Sequence, residues 1–367
     1  MGFKFVENHK SNWQIIVREN CSKSEYFAAK QLRRFVQEAT NVRLKIRKKN
    51  SEIPNFSLVI GEHPFIKNGH LNLNFADLGE EGFRIQIESE YIIIAGSKVR
   101  GALYGVTAFL EKYLDIRFFD PDFSVVPKRA EIELERAVFT SCPDFKYRMV
   151  TYLNLLDPDF SFYLNVNMNP FAEQKHGGAA GKLSTAHMTH TFSLLVPWKK
   201  HYNEHPEYFA LIKGERVGGP MSQLCLTNPD VLKIATSNVL KWFDQQPDVM
   251  SMGIVPNDVD GYCECEDCKK FEEKHGGVHS APIIAFCNKI AQEVVKKYPD
   301  KYVHTIAYTY YLEPPKDLTI HPNVIVVACD MYPHCHDNHP IGKHKSTLKY
   351  VTCLKEWIEM CETVLVW

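Results

Sequence analysis

Asn257 and Asp258 are the residues whose types and position point most directly to chemistry. They follow an apolar run, Val249 to Val255, which ends at Pro256 and is typical of a buried parallel strand. In (β/α) barrels the catalytic groups lie at the carboxyl ends of the strands, so Asp258 is a candidate proton donor. We expect partial burial at a strand end to favour its protonated form. The alternative is a structural role, in which Asp258 caps the following turn.

Three cysteines follow Asp258 closely and form a C-x-C-x-x-C pattern: Cys263, Cys265 and Cys268. Three thiolates plus a fourth cysteine or a histidine make a structural zinc site, and His275 and His279 lie within reach along the chain. The competing interpretation is a trio of reduced thiols in a loop, because the first two cysteines are more closely spaced than usual. We expect no obligatory cofactor, with structural zinc as the open alternative.

A second group of metal-ligating residue types follows a later predicted strand and comprises Cys329, His334, Cys335, His336 and His339. Because the carboxyl ends of parallel strands meet at one edge, this group and the first are expected to lie near each other. A catalytic divalent metal at that edge is therefore an alternative to acid catalysis by Asp258 alone.

The elements that must position these residues fall into two parts. Residues 1–138 carry strand patterns and two amphipathic helices, the first introduced by a capping-box pattern at Ser22 and Glu25. Residues 139–367 alternate strands with helices. This order predicts an α/β chain, with a small α/β sandwich followed by a (β/α)8 TIM-like barrel. About seven strand candidates, against the eight of a closed barrel, favour a barrel whose last unit follows residue 367.

Composition excludes several classes of partner. The net charge of −1 gives no basic surface for nucleic acid, and no apolar run reaches the ~20 residues of a transmembrane helix. The first residues, MGFKFVENHKSNW, lack the apolar core of a signal peptide. Eleven cysteines, an odd number, fit a reducing compartment better than a disulfide framework, so we expect a cytoplasmic protein. Nothing in the sequence indicates its oligomeric state.

Two families resemble this chain. The segments Arg100–Gly105, Phe109–Glu111 and Asp115–Pro121 resemble the small α/β domain that precedes the barrel in α-glucuronidases and β-hexosaminidases. Later segments resemble a bacterial family known as domain of unknown function 4838: His190–Phe192, His205–Phe209, Gln223–Pro229, Asn257–Asp258 with Gly261–Cys268, and Ala307–Tyr308 with Pro314–Pro315. The resemblance implies a glycoside-hydrolase-like TIM barrel after a hexosaminidase-type domain, and leaves the substrate open.

A glycosidase site needs a protonated carboxyl and a second group that acts as nucleophile or activates water. In hexosaminidase-type sites two adjacent polar residues at this strand end bind the acetamido group and donate the proton. Here Asn257 and Asp258 resemble that pair, with Asp in place of the usual Glu. Asp330 and Glu207 rank equally as the second catalytic carboxylate, ahead of Asp260 and Glu313.

Six further residues are candidates for binding sugar hydroxyls or stacking on sugar rings, although core packing is the more common role of any single aromatic residue: His187, His190, Arg148, Trp198, Tyr308 and Tyr310. The preferred hypothesis is a glycoside hydrolase that removes a terminal N-acetylhexosamine or uronic acid, with Asp258 as general acid. The alternatives are a metal-dependent hydrolase that uses the cysteine and histidine clusters, and a carbohydrate-binding protein without catalysis.

Overall fold

A computed structural model describes residues 2–51, 53–66, 74–150, 152–184, 186–329, 343 and 345–367, with side chains in the last range described from Thr347. The chain forms two compact units, Met1–Gly181 (unit 1) and Lys182–Trp367 (unit 2). Residues 139–181 thus group with unit 1, and the sequence-based boundary between residues 138 and 139 stays a prediction about domains. Within the described ranges, no helix is long and apolar enough to cross a membrane.

Unit 1 is built on a mixed six-stranded sheet with the order β10-β5-β6-β4-β2-β3, counted over its described residues. Its strands are β1 (Phe3–Val6), β2 (Gln14–Val17), β3 (Lys45–Lys48), β4 (Ser57–Ile60), β5 (Phe83–Ile87), β6 (Tyr91–Gly96), β7 (Arg117–Asp120), β8 (Phe123–Val125), β9 (Ile132–Leu134) and β10 (Ala137–Ser141). Its helices are α1 (Lys23–Thr40), α2 (Gly101–Leu114) and α3 (Pro158–Tyr163). β1 pairs with β9, and β7 pairs with β8, each as a separate antiparallel pair.

The two helices that the sequence predicts in residues 1–138 are formed as α1 and α2, and α1 begins at the predicted capping box. Ser22 caps α1 in a capping box with Glu25, which satisfies amide groups that have no partner within the helix. In α2, a Cβ added at Gly105 would lie 2.6 Å from Cγ2 of Ile94 in β6. Glycine therefore allows close helix-to-sheet packing at this position.

Unit 2 contains a four-stranded, all-parallel sheet in the order β13-β14-β15-β16. Its strands are β11 (Leu211–Ile212), β12 (Glu215–Arg216), β13 (Ser251–Gly253), β14 (Tyr302–Ala307), β15 (Val324–Ala328) and β16 (Val364–Val366). Its helices are α4 (Phe192–Leu195), α5 (Trp198–His201), α6 (Pro229–Gln245), α7 (Glu266–Lys274), α8 (Ser280–Lys297) and α9 (Lys345–Met360). A parallel bridge between Leu183 and Ser251 extends the pattern at the edge beside β13.

The two faces of the parallel sheet have different neighbours. Met252, Val303 and Val324 pack against the helices in the main apolar core of unit 2, whereas Val255, Ile306 and Val327 form a smaller apolar cluster. The mixed α/β architecture follows the prediction. A closed barrel does not occur among the described strands, so the TIM-like barrel is not confirmed.

On sequence grounds the apolar residues of segment 147–153 predict the first strand after residue 138, and no strand is formed in the described part of that segment. Leu153–Leu156 form a 3-10 turn instead, and the side chains of Tyr152 and Leu153 are 77% and 80% exposed. Alternating apolar residues stabilise a strand only when one face is buried, and here that face has no partner. The prediction was therefore wrong at this segment.

Candidate functional site

The carboxyl ends of β13 and β14 bring Asp258 and Tyr308 together. The two strands are parallel and in register from Ser251 opposite Tyr302, so the residues that follow them leave the sheet at the same edge. The Tyr308 hydroxyl donates a hydrogen bond of 2.8 Å to Oδ1 of Asp258. Two residues 50 positions apart in the chain thus meet where parallel sheets place their chemistry.

The surroundings keep the Tyr308 hydroxyl protonated. Burial raises the pKa of Tyr308 to about 12, and the hydrogen bond to Asp258 and the nearby charge of Asp260 act in the same direction. Burial also raises the pKa of Tyr310, whose hydroxyl donates a 2.9 Å hydrogen bond to the Gly261 carbonyl. Both tyrosines therefore act as hydrogen-bond donors to the segment that carries Asp258.

Asp258 itself is exposed, which differs from the partial burial expected at a strand end. Proline and asparagine before it are buried, so the chain leaves the interior between Asn257 and Asp258. The carboxyl is held on one side by Tyr308 and open to solvent on the other. It is accessible to a molecule that binds from the solvent side.

Asn257 is buried and forms part of the scaffold under Asp258. Its Nδ2 donates to the Ser222 carbonyl at 2.8 Å, and its backbone amide donates to Oε1 of Gln223 at 3.1 Å. In return, Nε2 of Gln223 donates to the Asn257 carbonyl at 2.8 Å. Among the described residues, Oδ1 of Asn257 has no hydrogen-bond partner. Gln223 is a positioning residue that the sequence analysis did not single out, although it lies in the Gln223–Pro229 segment quoted for the resemblance.

His187 and His190, both candidates for binding sugar, lie at opposite ends of the parallel sheet. His187 stacks on Trp242, with ring centroids 3.9 Å apart, and contacts Gln246 just after α6. Since α6 leads into β13, this places the His187 ring towards the amino end of the strand, and burial lowers its pKa. His190 is exposed and precedes Thr191, whose amide donates to the Val255 carbonyl at 2.9 Å. His190 therefore lies at the Asp258 end.

Three other predicted residues already have structural contacts. Arg148 belongs to unit 1, where Nη2 lies 2.5 Å from Oε2 of Glu81, which Arg100 also contacts. Trp198 begins α5 and packs, half-buried, against the core of unit 2. Glu207 is exposed, and Oε1 is 2.9 Å from Nδ1 of His205.

The other candidates for a second carboxylate divide into three. Asp260 is exposed and close enough to raise the pKa of Tyr308. Glu313 forms an ion pair with Lys349 at 2.5 Å. Asp330 lies outside the described residues, together with His334, Cys335, His336 and His339. Cys329 is described and half-buried next to Tyr308 and Val327.

The predicted cysteine trio is joined by Cys225, which the sequence analysis did not include. The Sγ atoms of Cys225, Cys263, Cys265 and Cys268 all lie within 4.8 Å of one another. Neither histidine considered as the fourth ligand belongs to this group: Nδ1 of His275 is 3.0 Å from the Lys316 carbonyl, and Nδ1 of His279 is 3.1 Å from Oε2 of Glu272. The Gln-Leu-Cys-Leu-Thr-Asn-Pro segment contained the signal, but 40 positions separate Cys225 from Cys265.

A pocket of about 370 Å³, including space open to solvent, lies beside this cluster. It is lined by Tyr262, Glu272, His279 and Tyr310, together with apolar side chains and two of the cysteines. The Tyr262 and His279 rings stack with centroids 3.5 Å apart. Asp258, which the structure describes, does not line this pocket. The pocket and the Tyr308–Asp258 pair are therefore neighbouring features of the same loop region.

Solved structures with a similar fold are glycoside hydrolases. A chitobiase from Flavobacterium johnsoniae aligns with a TM-score of 0.54 at 14% identity, over 100% of this chain and 56% of the chitobiase. A β-hexosaminidase mutant from Streptomyces plicatus, in complex with N-acetylglucosamine, aligns with a TM-score of 0.50 at 11% identity, over 100% of this chain and 71% of that enzyme. At these identities the likeness shows the fold alone, and the chain spans little more than half of the chitobiase.

Sequence comparison with curated proteins found no match. Two family models do match: the glycosyl hydrolase family 67 N-terminus over residues 4–109, and the domain of unknown function DUF4838 over residues 118–367. Both resemblances expected from the sequence are thereby confirmed. The DUF4838 match covers most of this chain, and the chain therefore belongs to the DUF4838 family.

Proposed function

We propose that this protein is a glycoside-hydrolase-like, carbohydrate-active enzyme with Asp258 as its general acid. The observation that carries the proposal is the hydrogen bond of 2.8 Å from Tyr308 to an exposed carboxyl at the carboxyl edge of a parallel sheet. The similarity in fold to a chitobiase and a β-hexosaminidase supports it as an analogy. We further propose that the four-stranded sheet of unit 2 is part of a TIM-like barrel.

In this mechanism the protonated Asp258 carboxyl approaches the glycosidic oxygen and transfers its proton as the bond to the anomeric carbon breaks. The Tyr308 hydroxyl holds one oxygen of the carboxyl, so the other oxygen faces the substrate. When the proton has left, the same hydrogen bond stabilises the carboxylate that remains. A bound sugar would cover Asp258 and supply the desolvation that the free site lacks.

The second catalytic group is a carboxylate or the substrate's own acetamide. Among the carboxylates, Asp260 is described near the two tyrosines, whereas Glu207 is engaged by His205. Asp330 follows β15 in the chain and remains a candidate on sequence grounds. We propose that His190, which is exposed, and Tyr310 contact the sugar at this edge. The substrate is proposed to be a terminal N-acetylhexosamine or uronic acid, in line with the families that the chain resembles.

The test is a panel of chromogenic α- and β-glycosides, including N-acetylhexosaminides and glucuronides, with the protein and its Asp258→Asn variant. We expect release by the protein and at least about a hundredfold lower turnover by the variant, the usual contribution of a general acid. Asp248→Asn is the matched control, because Asp248 is also exposed but lies before β13, at the opposite end of the strand. Equal activity of the three proteins would exclude Asp258 as the acid.

Two other functions would give different results. If no glycoside is cleaved but sugars raise the unfolding temperature, the protein is a carbohydrate-binding member of this fold. If turnover disappears with a chelator, and Asp258→Asn turns over substrate like the unaltered protein before chelation, a metal-dependent hydrolase is favoured. The four-thiol cluster does not favour that second function, because four protein ligands leave no open position for water or substrate.

A further inference from the structure

The four clustered cysteines lie close enough together to share one metal ion. A zinc ion with four thiolates at about 2.3 Å holds its sulfurs about 3.8 Å apart. The Sγ atoms of Cys225 and Cys265 are 3.7 Å apart, and all four sulfurs lie within 4.8 Å of one another. Cysteines from two segments distant in sequence therefore converge on one point, with one pair of sulfurs at the spacing that zinc requires.

We propose that Cys225, Cys263, Cys265 and Cys268 bind one Zn²⁺ ion as a closed structural site. The proposal does not depend on the proposed enzymatic function, since it rests on these side chains alone. Cys225, Cys263 and Cys268 are 4%, 6% and 1% exposed, so a bound ion would be shielded from solvent. Four thiolates complete the tetrahedron, which makes the role structural.

The groups around the sulfurs suit thiolates. The Leu211 amide donates to Sγ of Cys263 at 3.4 Å, and Nη1 of Arg216 lies 3.7 Å from the same atom. The Thr227 hydroxyl is 3.2 Å from Sγ of Cys268. Four thiolates and Zn²⁺ carry a net charge of −2, which the guanidinium and these donors offset.

Helix α7 carries two of the cysteines at its amino terminus. Cys265 is the N-cap of α7, and Cys268 lies in the first turn of that helix. The free amide groups at a helix amino terminus favour a centre of negative charge, such as a metal ion with four thiolate ligands. The backbone of the β11–β12 hairpin also holds the cysteine segment in place, because the Glu264 amide donates to the Leu211 carbonyl at 2.7 Å.

The site would fasten the segment that carries Asp258. This segment leaves β13, turns at Gly261 and reaches the cluster at Cys263. Gln223 holds its beginning through Asn257, and Cys225, two residues further along the chain, would hold its end through the metal. The short stretch from Gln223 to Cys225 thus holds both ends of the segment: Gln223 holds the beginning by hydrogen bonds, and Cys225 would hold the end through the zinc ion.

The first experiment is metal analysis of the protein purified under reducing conditions. We expect about one zinc per chain by inductively coupled plasma mass spectrometry, with the four cysteines protected from alkylation until a chelator is added. Protein grown with Co²⁺ should show the visible absorption of a tetrahedral Co²⁺–thiolate site. These measurements use the unaltered protein, so they remain decisive if a cysteine variant fails to fold.

The second experiment compares Cys225→Ser with Cys142→Ser. Cys142 is exposed and lies in unit 1, so its variant should keep one zinc. Since loss of an outer-shell partner already weakens metal binding about 10- to 100-fold, loss of the Cys225 thiolate should weaken it at least as much. The proposal fails if the reduced protein binds no zinc when zinc is supplied, if iron takes its place, or if Cys225 and Cys265 form a disulfide.

Discussion

At the scale of single residues, Tyr308 determines how Asp258 is presented. Asp258 is exposed, and an exposed carboxylate on a loop samples many orientations unless a partner holds it. The Tyr308 hydroxyl supplies that partner at 2.8 Å. Both residues were named from the sequence as separate candidates, one catalytic and one for binding sugar. Their hydrogen bond indicates that Tyr308 is a positioning residue for Asp258.

Tyr308→Phe should therefore lower kcat by at least about tenfold, because a hydrogen bond to a charged group contributes about 1.5–3 kcal/mol. The loss should be uniform between about pH 6 and 9, since burial raises the pKa of Tyr308 to about 12 and the hydroxyl keeps its proton throughout. The measurement is a pH–rate profile of both proteins. Tyr302→Phe, at the amino end of β14, is the control. A higher KM with unchanged kcat would show instead that Tyr308 only binds substrate.

At the scale of elements, β14 carries a buried histidine, His304, which contacts both β13 and the chain segment at Met188. Nδ1 of His304 is 2.8 Å from the Ser251 hydroxyl of β13, and Nε2 donates to the Met188 carbonyl at 2.9 Å. Burial lowers the pKa of His304 from 6.5 to about 4. The histidine is thus neutral in the folded protein under conditions where an unfolded chain would protonate it.

This shift predicts an acid-sensitive fold. As the pH falls from 6.5 to about 4, the unfolded chain binds a proton that folded His304 does not bind, so the free energy of unfolding decreases. The full decrease is on the order of 3 kcal/mol for this one group. Urea unfolding of unit 2, followed by tryptophan fluorescence, should show that His304→Gln loses this part of the pH dependence. His205→Gln, which changes a partly exposed histidine, should retain it. If the free energy of unfolding changes with pH in the same way in all three proteins, His304 is not the source of the acid sensitivity.

At the scale of the whole molecule, the cysteine cluster lies within one of two compact units. All four cysteines belong to unit 2, and each unit has an apolar core of its own. If zinc fastens the loops of unit 2, its removal should loosen that unit locally and leave unit 1 unchanged. This expectation rests on the zinc proposal.

Hydrogen exchange measured by mass spectrometry can test it. After zinc is removed under reducing conditions, peptides that cover residues 222–228 and 257–268 should exchange faster, because their anchor is lost. Peptides from α1 and β4 in unit 1 should exchange as before. Cys142→Ser should respond to zinc removal in the same way as the unaltered protein. Unchanged exchange at residues 257–268 would contradict a structural role for the ion.

The sequence alone determined much of the local structure and the position of Asp258. Apolar periodicity predicted the two amphipathic helices within residues 1–138, which the structure shows as α1 and α2, and the alternation of strands with helices in the later part of the chain, because helices and strands bury residues at fixed intervals. The same pattern was misleading at residues 147–153, because the large apolar side chains of the described residues there are exposed and form no buried face. Family resemblance indicated the glycoside-hydrolase-like fold.

Only the tertiary structure decided which distant residues meet. Tyr308 and Asp258 are 50 positions apart, and they pair because β13 and β14 are parallel and end at the same edge. Cys225 and Cys265 are 40 positions apart, and no spacing rule connects them. Local sequence fixes backbone periodicity and caps, whereas contacts of this kind depend on how strands and loops align in space. The hydrogen bond at Asp258 and the fourth thiol of the cluster both arise from that alignment.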